Sequence, residues 1–339
     1  MRLHFVVPVG IDDRMRPSGG NVYDRRLGIE LVKAAWDVYE HHVADETELA
    51  EMLARLPDGE TVLVDGLVGA TARTLVAESG RLRIVVLLHM AVAEGEVLRA
   101  ADAVLTTSRW ARQWAIERHG LAPDRVHVAV PGMDPGPRAT ASAAGDRLLC
   151  VGPVTPDKGH DVLVTALGEL SDLEWRCTCV GALDLDPGFV ERLRASAVSD
   201  RVTFTGPLTP QQLEEVGSST DLVVSASRRE SYGMAVAEGL ARAIPVVATD
   251  VGGHAEAVGA AGVLVPVGDE RALADALRRW LTDAALRERL RRLAAERRTT
   301  FATWPATARV VSGVLARVAA VNPRPLAPVS PGNEHPSEG

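Results

Sequence analysis

Lysine is nearly absent from this chain of 339 residues. Of its 37 basic residues, two are lysines, Lys33 and Lys158, and the other 35 are arginines. Lys158 lies in a glycine-containing loop, VGPVTPDKGHD, between a predicted strand and a predicted helix. A compact ammonium charge suits a diphosphate oxygen. The scarcity therefore favours a specific anion-binding role for Lys158 over that of an ordinary surface lysine.

Cysteine is scarce as well. The chain has three, Cys150, Cys177 and Cys179, an odd number that is too small for a disulfide framework. All of them fall in predicted core strands, where buried thiols are ordinary. A zinc ion held by Cys177 and Cys179 would need a second pair of ligands, which the sequence around them does not offer. The pattern predicts structural thiols and no metal site.

Long apolar runs and an excess of positive charge are also missing. Because no eighteen consecutive residues are apolar and the N-terminus enters a predicted strand at once, we expect no transmembrane helix, no signal peptide and a cytoplasmic location. The net charge of −8 gives no electrostatic footprint for nucleic acid. The basic amphipathic stretch 287–298 leaves a peripheral membrane contact open, although a surface helix packed on its own domain explains it more simply.

What is present is a repeated alternation of short apolar strands with helical patterns, in two series separated by the Pro/Gly/Ala/Ser-rich segment 136–146. Such alternation predicts parallel sheets covered by helices. The predicted strands are Leu3–Val9, Val62–Val64, Ile84–His89, Ala103–Thr106 and Val126–Val130 in the first series, and Arg147–Val151, Glu174–Val180, Val202–Thr205, Leu222–Ser225, Ile244–Ala248 and Gly262–Val265 in the second.

The fold class predicted is α/β, with two Rossmann-like, doubly wound parallel-sheet domains that face one another across a cleft. We expect an N-terminal domain over 1–135, a linker over 136–146 and a C-terminal domain over 147–298. A last helix is expected over 299–321, with a disordered tail over 322–339. Ligands of such sheets bind beyond the carboxyl ends of the strands.

Residues 221–256 are the most informative segment, DLVVSASRRESYGMAVAEGLARAIPVVATDVGGHAE. A strand leads into a loop that ends at Glu230, a helix follows, and Glu238 lies eight residues further on. Eight helical residues rise about 12 Å and turn about 80° beyond two full turns, which would place both carboxylates on roughly one side. The backbone N–H groups of Gly233, Met234 and Ala235 at a helix N-terminus suit a phosphate.

This segment resembles the E-x7-E signature of the large retaining glycosyltransferase family usually numbered 4, which has the GT-B fold. The order and spacing of Glu230-Ser231-Tyr232-Gly233-Met234, Glu238, Ile244-Pro245-Val246-Val247-Ala248 and Gly252-Gly253-His254-Ala255-Glu256 carry the likeness. The resemblance implies a nucleotide diphosphate sugar as donor, with UDP or GDP as leaving group, and transfer with retention.

The resemblance also assigns roles within this segment and the lysine loop. Glu238 would hold the ribose hydroxyls, and Glu230 would hold sugar hydroxyls near the reacting carbon. Lys158 and the helix start at Gly233–Ala235, with Ser231, would bind and stabilise the diphosphate. These positions are expected to form the donor site.

Two loops of the first half match the family as well. Pro17-Ser18-Gly19-Gly20 resembles the family's Gly-rich loop near the donor diphosphate and the acceptor, although a plain turn is the simpler explanation of the glycine pair alone. It is not G-x-G-x-x-G, which argues against a nicotinamide or flavin site. His89, at the end of a strand, resembles the family histidine that contacts the transferred sugar. A satisfied core histidine is the alternative.

Other matches concern the acceptor and the base. Thr106-Thr107-Ser108 resembles the strand end whose hydroxyls line the acceptor side, although capping of a helix explains Ser108 equally well. Phe204-Thr205-Gly206-Pro207-Leu208 resembles the base-binding turn, with Leu208 as a donor contact. Asp184-Leu185-Asp186 has the letters of a metal motif but falls in a predicted turn, so neither a metal nor a cofactor is expected.

The chain departs from the family at Pro153, where an arginine usually joins the lysine in clamping the diphosphate. Either Arg228 or Arg229 replaces that charge, or donor affinity is lowered. The N-terminal domain also looks short, which favours a small soluble acceptor. A non-catalytic sugar-nucleotide-binding protein, a sugar-nucleotide epimerase and a phosphorylase on the same fold remain alternatives. A phosphorylase would need a cofactor lysine, for which Lys158 is the only candidate.

Overall fold

The computed structural model describes residues 1–320 except Ala197 and Ser199. The tail expected to be disordered, 322–339, lies outside the described residues. Two six-stranded sheets form the framework, and every strand pair in them is parallel. This confirms the predicted fold class.

The first sheet and its covering helices occupy residues 2–128. The elements are β1 (Arg2–Pro8), α1 (Gly19–Lys33), β2 (Asp37–Val43), α2 (Glu46–Ala54), β3 (Thr61–Asp65), α3 (Gly66–Gly69), α4 (Thr74–Glu78), β4 (Arg83–Leu88), α5 (Gly95–Ala100), β5 (Ala103–Thr106), α6 (Arg109–His119) and β6 (Val126–Val128). Strand β2 was not predicted. It is an edge strand with mostly polar, partly exposed residues, so it lacks the apolar run that marks the other strands.

The second sheet begins after the linker. Its elements are β7 (Arg147–Val151), α7 (His160–Gly168), β8 (Arg176–Val180), α8 (Pro187–Arg194), β9 (Val202–Gly206), α9 (Pro210–Ser218), β10 (Leu222–Ser225), α10 (Met234–Ala241), β11 (Val246–Thr249), α11 (His254–Val258), β12 (Gly262–Val265), α12 (Glu270–Thr282), α13 (Ala284–Arg297) and α14 (Trp304–Ala319). The three central strands β7, β10 and β11 are short runs rich in Val and Leu and are largely buried, as strands between two helix layers must be.

The order of strands locates the functional edge of each sheet. The first sheet runs β2-β1-β3-β4-β5-β6 and the second runs β12-β11-β10-β7-β8-β9. The order reverses between β1 and β3 in the first sheet and between β7 and β10 in the second. In open parallel sheets the crevice beyond the carboxyl ends at such a reversal is where ligands bind.

The last helix, α14, packs on the first domain although the chain has by then completed the second. Its Trp304, Val311 and Leu315 join the core formed by Leu3 and Phe5 of the first sheet. The Thr307 hydroxyl donates to the Val130 carbonyl at 2.7 Å, which fixes the helix start at the same place. The two domains are thus tied at both ends of the second one.

Candidate active site

A helix that carries both Glu230 and Glu238 would have to begin at Glu230, but α10 begins about one turn later, at Met234. Gly233 precedes its first residue and has a φ of +95°, and a Cβ there would lie 2.5 Å from the ring of His254. Only glycine fits that conformation and that approach. Glu230 and Ser231 therefore lie in the preceding loop, and the prediction that one helix face carries both Glu230 and Glu238 is wrong.

Lys158 and Glu230 meet at the strand-order reversal of the second sheet. Lys158 follows β7, Glu230 follows β10, and these strands are neighbours. The Lys158 ammonium donates to Glu230 Oε1, and the Ser227 hydroxyl donates to the same oxygen at 3.1 Å. Both charged side chains are largely buried, with 26% and 15% of their surface exposed. The pair lies in the loop that leads into α10.

The glycine-rich loop of the first domain lies against this site. Ser18 caps α1, where its hydroxyl accepts from the Asn21 N–H at 3.0 Å, so Gly19 and Gly20 form the first turn of that helix. A Cβ on Gly19 would lie 2.9 Å from Cγ of Met234, across the cleft. A Cβ on Gly20 would lie 3.3 Å from the ring of His89. The structure thus brings the glycine pair, His89 and the start of α10 together.

His89 is held by two buried carboxylates that the sequence did not reveal. Its Nε2 lies 2.8 Å from Asp24 Oδ1 and 3.2 Å from Asp65 Oδ2, and the ring of Tyr23 packs edge-on at 5.0 Å between centroids. Burial disfavours the imidazolium, but the two carboxylates outweigh it and raise the pKa of His89 to about 10. His89 is therefore cationic at neutral pH and cannot serve as a base there.

The two carboxyl groups of this cluster have pKa values that shift in opposite directions. Burial raises the pKa of Asp24 to about 8, although His89 opposes this shift. Burial acts on Asp65 in the same direction, but His89, Asp24 and the Leu67 N–H together lower the pKa of Asp65 to about 2. Burial therefore favours a proton on Asp24, and Asp65 is the carboxylate that stays ionised beside His89.

The remaining predicted donor residues lie around the start of α10 and the end of β9. Glu238 is half-buried on α10, where burial raises its pKa, Arg242 lowers it and Asp134 raises it further. Ser231 is buried, and its hydroxyl has no hydrogen-bond partner in the described part of the chain. Leu208 is half-buried in the loop after β9, and Ala235 is half-buried in the first turn of α10.

The hydroxyl groups expected on the acceptor side are buried. Thr106, Thr107 and Ser108 are at most 4% exposed. The Ser108 hydroxyl accepts from the Ala111 N–H at 2.9 Å and caps α6, so the capping explanation is correct for that residue. The Thr106 hydroxyl donates to the carbonyls of Ser108 and His127, and a place for these hydroxyls on the acceptor side stays a prediction.

Neither candidate for the missing arginine supplies a free charge beside Lys158. The Arg228 guanidinium binds Asp161 through two bonds of 2.8 and 2.7 Å and also donates to the Pro156 carbonyl. It therefore fixes the lysine loop. Arg229 is mostly exposed, and its Nε lies 3.8 Å from Asp157.

Two clusters of described side chains have the donor atoms and spacing of a metal site. One is the cluster of Asp24, Asp65 and His89, and the other is formed by Cys150, Cys179 and His160, all fully buried. The second pairs thiols on neighbouring strands, which the sequence pattern of Cys177 and Cys179 did not suggest.

The pair of aspartates with the letters of a metal motif has other partners. Asp184 binds Arg16 of the first domain at 2.8 Å, and Asp186 caps α8 by accepting from the Phe189 N–H at 2.9 Å. Both carboxylates therefore have structural partners, one in an ion pair between the domains and one in a helix cap.

Several arginines of the basic helix α13 contact the domain that carries it. Arg287, Arg291 and Arg297 donate to backbone carbonyls of the linker, α12 and α11, as does Arg298 just after the helix. This contact pattern supports the interpretation of a helix packed on its own domain. In the described residues no helix is both long and apolar enough to cross a bilayer.

Sequence reasoning missed two further groups at the site. The Glu256 carboxylate accepts from the N–H groups of Arg109 and Trp110 at 3.0 and 2.6 Å, so α11 of one domain caps α6 of the other. His254 donates from Nδ1 to the Thr249 carbonyl at 2.8 Å and points its buried, unpartnered Nε2 toward Gly233. The Gly-Gly-His-Ala-Glu turn places both residues, but their partners are far apart in sequence.

Comparison with known proteins gives a family match in the second domain. The glycosyl transferases group 1 family matches residues 145–283, which carry Lys158, Glu230 and Glu238. This segment is thus similar to the group 1 glycosyltransferases. The D-inositol 3-phosphate glycosyltransferase of Nocardia farcinica is 36% identical over 225 residues, which are 60% of this chain and 49% of that protein. The chain spans about half the length of such curated relatives.

Solved structures extend the likeness to both domains. Sucrose-phosphate synthase from Thermosynechococcus elongatus superposes with a TM-score of 0.74 at 20% identity, over 94% of this chain and 99% of that one. Anabaena HepE in complex with UDP-glucose gives 0.71 at 17% identity, over 95% and 100%. The segment that matches the group 1 family thus lies in the second half of a GT-B fold, which the described residues adopt.

Proposed function

We propose that this chain transfers a sugar from a nucleotide diphosphate sugar to a hydroxyl acceptor, with retention of the anomeric configuration. The observation that carries the proposal is the ion pair of Lys158 and Glu230 beside the start of α10, closed from the other side by Gly19. The relatives named as glycosyltransferases and the UDP-glucose complex of Anabaena HepE support this, and favour UDP as the nucleotide.

Donor binding would exchange the partners of the central ion pair. The diphosphate takes the Lys158 ammonium and the N–H groups at Met234 and Ala235, because a helix N-terminus and a lysine both favour an anion. Glu230 is released to accept hydrogen bonds from sugar hydroxyls. Glu238, about a turn and a half into α10, accepts from the ribose hydroxyls.

In the transfer step, every bond that breaks or forms and the proton that moves belong to the donor and the acceptor. The bond from the anomeric carbon to the diphosphate oxygen breaks, and the acceptor oxygen bonds to that carbon on the same face. The acceptor proton passes to the departing diphosphate. Lys158 and the start of α10 stabilise the charge that grows on the diphosphate, and this charge needs no metal ion where a lysine and a helix N-terminus already supply the positive field.

His89 would contribute fixed positive charge rather than proton transfer. Its Nε2 is bound to Asp24 and Asp65, and its Cδ2 and Cγ are the ring atoms that lie nearest Gly20 of the glycine-rich loop. A cation held there strengthens the hydrogen bonds that position the sugar. This differs from a role in which the histidine accepts a proton.

The assay that tests the proposal mixes the protein with UDP-glucose, UDP-N-acetylglucosamine and GDP-mannose in separate reactions with a panel of hydroxyl acceptors. NMR follows release of the nucleoside diphosphate and the anomeric coupling of the product. The expected result is release from one donor, an axial product bond like that of the donor, and loss of turnover in Lys158→Ala. An equatorial product from these donors would contradict retention.

A second function has one observation in its favour. Pro153 stands where the resembling family has an arginine, and Arg228 is committed to Asp161, so the diphosphate site has one cation fewer. A non-catalytic sugar-nucleotide-binding protein would bind a donor without releasing the nucleoside diphosphate from it. An epimerase would convert the donor sugar without any acceptor.

A further inference from the structure

The first domain has a concave pocket of about 500 Å³ beyond the carboxyl ends of β1, β2 and β3. Its walls come from Pro8 and Val9 after β1, from Val43–Glu46 after β2, and from residues between 67 and 72 after β3. A volume of this size lies in the range of small-molecule sites, about 300–1,000 Å³. The pocket is separate from the residues that bind the donor in the second domain.

Most of the residues that line the pocket are apolar. Leu67 is 77% exposed and Val9 is 58% exposed. Other large apolar side chains are exposed on the loops after β1 and β4 at the same edge of the sheet, namely Met15, Met90 and Val92. Exposed apolar side chains gathered at one edge mark a site that an apolar partner covers.

The charge in the pocket has one sign. Asp45 and Glu46 are the charged residues of its lining, which contains neither arginine nor lysine. Both carboxylates are fixed, because Asp45 accepts from the Thr47 and Glu48 N–H groups at 2.8 and 3.0 Å and Glu46 accepts from the Thr74 N–H at 2.9 Å. A phosphate here would lose water beside two carboxylates with no cation to pair it.

A chain of polar contacts links one wall of the pocket to the cluster that holds His89. The Leu67 N–H donates to Asp65, and the other oxygen of Asp65 lies 3.2 Å from His89 Nε2. The backbone also ties the walls together, since the Val9 N–H donates to the Val43 carbonyl at 3.0 Å. A molecule seated against Leu67 therefore lies next to the chain segment that carries Asp65, the carboxylate 3.2 Å from His89.

We propose that this pocket binds the acceptor, and that the acceptor is an uncharged hydroxyl-bearing molecule with an apolar body. The inference rests on the proposed function, since it gives the site a place in glycosyl transfer. It separates this chain from relatives whose name specifies a phosphorylated acceptor, D-inositol 3-phosphate. The apolar body packs on Leu67 and Val9 while the hydroxyl reaches toward His89.

The test compares two probes of one shape, 2-naphthol and its anionic counterpart 6-hydroxy-2-naphthalenesulfonate, by ligand-observed NMR titration of the full chain. The variants are Leu67→Arg and Leu67→Ser, with Val32→Arg as the matched control. Val32 is 57% exposed on α1, well away from the pocket. Both leucine variants change an exposed side chain, so folding is expected to persist, and a circular dichroism melt checks this.

The wild type and Val32→Arg are expected to bind 2-naphthol about tenfold or more tightly than the sulfonate. Leu67→Ser weakens 2-naphthol binding, and Leu67→Arg reverses the preference because it adds a cation to an acidic pocket. Sulfonate binding by the wild type as tight as that of 2-naphthol, or no effect of either leucine variant, would overturn the proposal.

Two parallel arms separate this inference from the proposed function. UDP is titrated into the same samples. Normal UDP binding with no preference for 2-naphthol would overturn the pocket and leave the transferase standing. A naphthol preference without UDP binding would overturn the acceptor role itself. In the second arm, flotation with phosphatidylcholine vesicles that Leu67→Arg abolishes would show that the leucine meets lipid, which would also overturn the proposal.

Discussion

The Lys158 ammonium donates a hydrogen bond to Glu230 across the two central strands of the second sheet. The lysine expected to bind phosphate therefore holds the carboxylate expected to bind sugar. The chain has one other lysine, Lys33, which pairs with Glu30 on the far end of α1. Without a donor the central charges neutralise each other. A nucleotide sugar would satisfy both groups at once, whereas a free phosphate would leave Glu230 unpaired.

Removal of the central lysine is expected to abolish most donor affinity. Lys158→Ala loses a charged hydrogen bond to the diphosphate and leaves the Glu230 carboxylate to repel it, which we expect to weaken UDP binding by about tenfold or more. Calorimetric titration measures this, with Lys33→Ala as the matched control. Equal UDP affinity in the two variants would contradict the account.

Glu238 is expected to distinguish ribose from deoxyribose. In the wild type UDP should bind more tightly than 2′-deoxy-UDP, because a charged hydrogen bond to the 2′-hydroxyl is worth about 1.5–3 kcal/mol. In Glu238→Ala the two nucleotides should bind alike. Competition titrations with both nucleotides give the comparison, and a preference for UDP that survives in the variant would place the ribose elsewhere.

Stability is expected to depend on pH through Asp24. Its pKa in the folded chain, about 8, is above its ordinary value of 3.8, so the folded state holds a proton that the unfolded chain has released. The stability that this proton provides is complete below the ordinary pKa and is lost as pH rises through about 8. Asp24→Asn does not titrate, so its Tm should gain on that of the wild type between about pH 5 and pH 8.

Thermal melts at several pH values test this, with Asp12→Asn as the control, because Asp12 is an exposed partner of Arg25. A Tm difference between Asp24→Asn and the wild type that stays constant with pH would show that Asp24 does not hold the extra proton. His89 adds a loss of stability at higher pH in the wild type, since its own pKa is raised to about 10, and Asp24→Asn weakens this contribution because Asp24 is the first of the carboxylates that raise it.

Glu256 is expected to stabilise the contact between the domains. Its carboxylate caps α6 from the other domain, and the loss of a helix cap costs about 1 kcal/mol. Glu256→Ala should therefore lower the Tm by about 2–4 °C. Glu117→Ala, an exposed glutamate on the same helix, is the control. Equal melting of the two variants would mean that the contact contributes nothing in solution.

The sequence allowed the fold and the outline of the site to be predicted, because both depend on local pattern. Buried parallel strands are short apolar runs, and the loop of Lys158 and the turn at Gly233 lie next to such runs. Edge strand β2 was not predicted, because it lies at the edge of the sheet and most of its residues are polar and partly exposed. Gly233 itself was the signal that Glu230 lies outside the helix, since a glycine at positive φ starts α10.

Long-range partners could not be predicted from local pattern. Asp24 on α1 and Asp65 at the end of β3 meet His89 after β4 because the strand order places those ends together. Each aspartate looks like an ordinary carboxylate in sequence. The same holds for Glu256, whose partners lie about 150 residues away in the other domain. Such contacts can be predicted only after the topology of the fold is known.

The most direct test of the donor site uses the rarity of lysine. Amine acetylation of the native protein, followed by mass spectrometry, measures the labelling rates of Lys158 and Lys33 in one sample with and without saturating UDP. We expect UDP to slow labelling of Lys158 by about tenfold, because the diphosphate covers its ammonium, and to leave Lys33 unchanged. Lys158 labelled at the same rate while UDP is bound would contradict the central claim that this lysine binds the donor diphosphate.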